Sequence, residues 1–138
     1  MVKRINAYWS RDKKFMNLDL YNKKVVITGA SKGIGLAIAN TFLSEGAITC
    51  IVSRGSKALF DNEKNLQTKY GSKNIFAKKC DCTKAYQLEK LKNQLKLKWG
   101  GVNVVVINVG DGRSVKDIIP ADQKWKKTWN NNFESALY

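Results

Sequence analysis

With 138 residues, 43% of them hydrophobic, 26% charged and a single proline, the chain has the size and balance of one soluble globular domain, which excludes a disordered polymer. The formal net charge of +14 invites a nucleic-acid partner, because clustered Lys and Arg displace counterions from phosphates, yet the basic residues run along the whole chain and read as solvated helix faces. Three cysteines and no histidine exclude Ser-His-Asp and Cys-His catalysis and a zinc site: Cys80 and Cys82 flank Asp81, only Cys50 is left, and reduced thiols place the chain in the cytoplasm.

Residues 24–28 read as a buried strand, and 34–45 as a helix with Ile34, Ile38 and Phe42 on one face and Gly46 as its end. A second buried strand spans 48–52. It is followed by a polar helix over roughly 56–70, anchored by Leu59, Phe60 and Leu66 and stopped at Gly71. A third strand covers 74–79, and Thr83 can cap a helix carrying Leu88, Leu91, Leu95 and Trp99 at helical spacing. Gly100-Gly101 ends it. Residues 102–108 form the fourth strand, the most apolar of all, and after a loop to about 120 a last helical stretch contains Trp125 and Trp129 as packing residues. There is no internal repeat.

Apolar strands alternating with helices predict a parallel sheet covered on both faces, the doubly wound α/β architecture of Rossmann type. The first four strands are expected in the spatial order 3-2-1-4, so the first and fourth are neighbours and ligands bind beyond their carboxyl ends. Residues 1–15 are basic and without periodicity; they are expected to be a disordered extension ahead of a domain at 16–138, with Met16 as a candidate initiator. Tyr8, Trp9 and Phe15 leave open a membrane-surface anchor, but the longest apolar run, near 102–109, is too short to span a bilayer, and no membrane partner is expected.

The first strand runs directly into Thr28-Gly29-Ala30-Ser31-Lys32-Gly33-Ile34-Gly35. Gly29 can take the tight turn off the strand, Gly33 lets the backbone approach a pyrophosphate, and Gly35 lets the helix pack close to the sheet. Unpaired N–H groups at the helix N-terminus then face the anion. A tight strand-to-helix turn without a ligand is the plainer alternative.

This motif resembles the cofactor loop of the short-chain dehydrogenases/reductases, and the resemblance extends from Leu18 to the end of the chain. Asp81, followed by Cys82-Thr83, is similar to the family's Asp that hydrogen-bonds the adenine amino group. Ile107-Asn108-Val109-Gly110 resembles its N-N-A-G motif, keeping Asn108 and Gly110 and departing at Ile107 and Val109. Trp125 followed by Asn132 resembles the W-x6-N signature, whose Asn is one of four catalytic residues. The resemblance implies hydride transfer between a nicotinamide cofactor and a small carbonyl or alcohol, in a homo-oligomer at full length.

Charge argues the cofactor. NAD-binding folds place an acidic residue about 20 positions beyond the glycines to meet the ribose 2′-OH, whereas an Arg there accommodates a 2′-phosphate. This chain has Ser53-Arg54 at the end of its second strand, no carboxylate until Asp61, and a second cation, Lys32, inside the loop. NADP(H) is therefore expected in preference to NAD(H).

The resemblance also implies a catalytic Ser and a Y-x-x-x-K pair after the Asn. Tyr86 and Lys90 have that spacing but precede Asn132, and so read as a chance match facing away from the crevice. Only Asn132 of the tetrad is then present. The expectation is an N-terminal fragment, inactive alone, with the edge of its fourth strand open to aggregation. Three functions remain open: the NADP(H)-dependent oxidoreductase, a non-catalytic NADP-binding module, and a basic nucleic-acid binder, the last disfavoured by tryptophans at packing positions.

Overall fold

In chain order the elements are β1 (Lys24–Thr28), α1 (Gly33–Ser44), β2 (Ile48–Ser53), α2 (Lys57–Tyr70), β3 (Ile75–Lys79), α3 (Ala85–Trp99), β4 (Val104–Val106) and α4 (Asp122–Asn132), then a 3-10 turn at Glu134–Ala136. They come from a computed structural model that describes residues 18–110 and 122–137. The predicted extension at 1–15 lies outside the described residues. All pairings are parallel, in the order β3-β2-β1-β4, as the alternating pattern leads one to expect. Ile27 stands opposite Ile51 on one side and Val106 on the other, so β1 is central and its carboxyl end meets that of β4.

Side chains alternate across a strand, so each strand feeds two cores. Val25, Ile27, Ile51 and Ile75 point to one face and pack with Ala39 and Leu43 of α1 and Leu59 and Leu66 of α2. Val26, Cys50, Val52, Cys80 and Cys82 form the other core with Leu91 and Leu95 of α3. Trp99 closes that core edge-on against Phe76, with ring centroids 5.0 Å apart.

Several expectations need correction. The buried stripe of α1 is Gly35, Ala39 and Leu43, with Ile38 and Phe42 beside it, while Ile34 is 74% exposed. Phe60 is likewise on the outer side of α2. Thr83 does not cap α3: its N–H and hydroxyl both donate to Asp81 Oδ1, at 3.0 and 2.8 Å, and the N-cap position belongs to Lys84, which makes no side-chain cap bond. β4 is three residues long, Val104–Val106, shorter than the expected 102–108, and among the described residues it pairs with β1 alone. Coverage of the sheet is also unequal. Val105 and Ile107 are more than half exposed and, with Leu88, Leu91 and Leu95, line a groove of about 600 Å³. Trp125 and Trp129, expected to pack, are largely exposed; they lie in a row with Phe133, at centroid distances of 6.3 and 4.5 Å.

Candidate functional site: the glycine loop at the β1–β4 crevice

The loop between β1 and α1 is held by backbone shape and by Asn108. Gly29 has φ +65°, a left-handed conformation that favours glycine, and a Cβ there would stand 2.7 Å from the Asn108 carbonyl oxygen. Gly35 is tighter still: a Cβ would meet Asn108 Nδ2 at 2.5 Å and the Gly29 carbonyl oxygen at 2.6 Å. Gly35 therefore sets the approach of α1 to the turn and to the loop after β4. Gly33 differs from both. Its φ is +58°, yet among the described residues nothing lies within 4 Å of where a Cβ would be. Open space at a left-handed position is what a backbone cradle for a ligand needs, and a side chain would fill it.

Asn108 stitches the two strand ends together. Its N–H donates to Thr28 Oγ1 at 3.0 Å, and its Nδ2 donates to the carbonyls of Thr28 and Gly29 at 3.3 and 3.2 Å. Thr28 in turn donates its hydroxyl to the Val106 carbonyl at 3.3 Å. Thr28 is thus buried and fully used in joining β1 to β4.

At the start of α1 no side chain caps the helix and no acidic residue lies in its first turn. The leading N–H groups and the positive dipole end remain available to an anion. Lys32 is exposed beside them in extended backbone, and Ile34 projects into solvent. Ser31, half-buried, accepts hydrogen bonds at both its oxygens: Ser53 Oγ donates to its hydroxyl at 3.1 Å and Asn62 Nδ2 to its carbonyl at 3.0 Å. Arg54 follows Ser53 and is exposed. The loop and the end of β2 therefore form one unit.

Asp81 stands at the end of β3, on the same side of the sheet. Partial burial pushes its carboxyl up, but the backbone and side-chain hydrogen bonds from Thr83 and the charges of Arg54 and Lys84 outweigh that and hold it below the usual 3.8. Its N–H donates to Gln87 Oε1 at 2.8 Å. Cys82 is buried in the α3 core, where burial pushes its thiol up to about 12. Burial does the same to Cys50, also to about 12. Gly110 and Asn132 come together: a Cβ on Gly110 would be 3.1 Å from Asn132 Oδ1, while Asn132 Nδ2 donates to the Thr128 carbonyl at 2.9 Å. Tyr86 and Lys90 are exposed at the outer β3 side, beside Lys78 and Lys79, with two strands between them and the crevice at β4.

Asn62 and Gln87 were missed in the sequence. Each had a signal, a polar residue at helical spacing with the apolar stripe: Asn62 lies three residues after Leu59, and Gln87 four before Leu91.

Parallel strands in the order β3-β2-β1-β4, helices on both faces and a glycine loop at the β1–β4 switch point define a Rossmann-type α/β domain. The chain belongs to the short-chain dehydrogenase family, whose model matches residues 23–138. It is 33% identical over 128 residues to a sorbose reductase of Candida albicans, covering 88% of this chain and 44% of that protein. It is 30% identical over 122 residues to a benzil reductase of Saccharomyces cerevisiae, covering 83% of this chain and 45% of that one. The crystal structure of L-sorbose reductase from Gluconobacter frateurii, complexed with NADPH and L-sorbose, superposes with a TM-score of 0.76 at 31% identity, over 87% of this chain and 46% of that one. The chain thus spans somewhat less than half the length of these relatives. No helix among the described residues is long and apolar enough to cross a membrane.

Proposed function

We propose that this chain is the cofactor-binding part of an NADP(H)-dependent oxidoreductase that moves a hydride between NADP(H) and a small carbonyl or alcohol. The observation that carries the reading is the loop and β2 end built as one unit: Gly33 offers an open backbone cradle, while Lys32 and Arg54 each follow a serine of the Ser31–Ser53 hydrogen bond. Two cations with no carboxylate between Ser53 and Asp61 suit a 2′-phosphate and leave a 2′-OH without an acidic partner. The NADPH bound to the Gluconobacter frateurii relative supports the same choice.

In this reading Thr28, Gly29, Ser31, Lys32, Gly33, Ile34 and Gly35 shape the pyrophosphate and ribose side. Ser53 and Arg54 meet the 2′-phosphate, Asp81 and Cys82 the adenine, and Asn108 and Gly110 line the crevice. The bound nicotinamide supplies or accepts the hydride. Asn132 is the one member of the family's catalytic tetrad that the 138 residues offer, so the chain by itself binds cofactor without turnover. At full length the protein is a cytoplasmic homo-oligomer acting on a small molecule, with no nucleic-acid or membrane partner.

Fluorescence titration with NADPH and NADH tests this. NADPH should bind at least about tenfold more tightly, a difference of about 1.4 kcal/mol, and Arg54→Ala should remove most of that preference. Equal affinities in the wild type, or an unchanged preference in the variant, would overturn the proposal.

A further inference from the structure

Ser31 is the hub of the loop, and it is held from two sides. From β2 comes the Ser53 hydroxyl; from α2 comes the Asn62 amide, whose Nδ2 donates to the Ser31 carbonyl at 3.0 Å. That carbonyl belongs to the same planar peptide as the Lys32 nitrogen, so the Asn62 bond orients the plane from which Lys32 departs. Past Lys32 the chain enters Gly33, with nothing among the described residues within 4 Å of a would-be Cβ and φ at +58°. The Ser31-Lys32-Gly33 segment is thus held by α1, which begins at Gly33, on one side and by the two Ser31 bonds on the other, with no packing around Lys32 among the described residues to fix its direction.

Asn62 is itself well anchored. It lies between Leu59 and Leu66, the two residues by which α2 is buried against the sheet. Its neighbour Glu63 accepts the Ala77 N–H of β3 at 2.9 Å, so this part of α2 is tied to the sheet backbone by polar as well as apolar contacts. A loop peptide bonded to Asn62 inherits the position of that rigid helix. On the other branch, Ser53 leads directly to Arg54. The two cations thus leave the Ser31 hub on separate arms, one residue from each serine.

We propose that Asn62 is a positioning residue for cofactor selectivity: by holding the Ser31–Lys32 peptide in register with β2, it keeps Lys32 and Arg54 aimed at one phosphate. Asn62 itself touches no cofactor. The inference rests on the NADP(H) reading given above and extends it to α2, outside the glycine motif. Losing the bond leaves the fold and the pyrophosphate cradle in place and loosens the arm that carries Lys32, so the loss falls on the 2′-phosphorylated cofactor.

The test is NADPH and NADH titration of the full chain as wild type, Asn62→Ala, Asn62→Leu, Lys32→Ala and the Lys32→Ala/Asn62→Ala double variant, with far-UV circular dichroism on each. Both Asn62 variants should bind NADPH about fivefold more weakly, the scale of one hydrogen bond, with NADH affinity changed less than about twofold. In the Lys32→Ala background, Asn62→Ala should add nothing to the loss. Equal weakening of both cofactors would show a merely structural residue and overturn the inference, as would unchanged NADPH binding or additive losses in the double variant. Asn62→Leu keeps the side-chain volume and decides the matter if Asn62→Ala does not fold; if neither folds, Asn62 serves the fold and the inference fails. The wild-type titration separates the two proposals. Without an NADPH preference there the cofactor reading itself falls; with it, the Asn62 variants alone decide.

Discussion

On the α1–α2 side of the sheet Val25, Ile27, Ile51, Leu59 and Ile75 are wholly excluded from water, whereas on the α3 side Val105 and Ile107 stand more than half exposed over an apolar groove. The same residue types, on the strands of one sheet and the segments packed or joined to them, thus carry different amounts of stabilisation. Two helices cover the first face. On the second, α3 covers β1 to β3, while among the described residues Val105 and Ile107 at β4 stay more than half exposed, although the strand sequence is equally apolar. Hydrophobicity in a strand therefore reports that it is built to be covered, and the neighbouring elements decide whether it is.

The largest effect should come from breaking the closed face. Ile51→Ala is expected to cost about 3–4 kcal/mol, the loss of buried methyl groups plus an unrelaxed cavity. Ile107→Ala should cost less than about 0.5 kcal/mol, since its side chain is already largely in water. Urea denaturation of the two variants measures both. Similar costs would mean that the two faces are equally packed in solution and would remove the contrast.

A second contrast, inside the glycine loop, sharpens the first by separating packing from ligand space. Gly35→Ala drives a Cβ into Asn108 Nδ2 and the Gly29 backbone and should destabilise by about 2 kcal/mol, as overpacking does. Gly33→Ala meets no atom of the described residues and should cost only about 1 kcal/mol, from its positive φ. Cofactor binding should invert that order relative to stability: Gly33→Ala should weaken NADPH by about tenfold or more, about 1.4 kcal/mol, despite its milder effect on folding. Paired melting curves and titrations would reveal it, and a Gly33→Ala variant with wild-type affinity would show that the open space is not where the ligand approaches.

Most of the architecture was legible because its signals are local. Apolar strands bounded by glycines gave the element order, and the left-handed Gly46, Gly71 and Gly100 lie just beyond the ends of α1, α2 and α3, where the pattern placed breaks. The shifted face of α1 was harder to see. Ile34, Ile38 and Phe42 make the louder hydrophobic pattern, yet the helix approaches its neighbours through Gly35 and Ala39, whose small side chains allow close contact and carry little hydrophobic signal. Thr83 followed the composition of a cap, but Asp81 two residues earlier captured its hydroxyl. In the candidate site the glycines and Asn108 stood out by motif. The bonds from Asn62 and Ser53 to Ser31 join residues 31 and 22 positions apart in the chain, which no local pattern displays.

The smallest effect belongs to Asp81, and it probes the α3 side through pH. Its folded-state carboxyl is held below 3.8, so its contribution to stability is fully present above the unfolded carboxylate pKa of about 3.9 and is lost as pH falls through the folded value. Between pH 7 and 5 this group should therefore leave stability unchanged, and the loss should be confined to pH below about 4. Asp81→Asn keeps an acceptor for the Thr83 hydrogen bonds but removes the attraction to Arg54 and Lys84, which flattens the acid limb. Urea midpoints for wild type and Asp81→Asn, compared from pH 7 to pH 3, should differ by a constant amount down to about pH 5 and converge below pH 4. A gap that stays constant to pH 3 would mean that the carboxylate charge contributes nothing, and that Asp81 serves the turn before α3 through its hydrogen bonds alone.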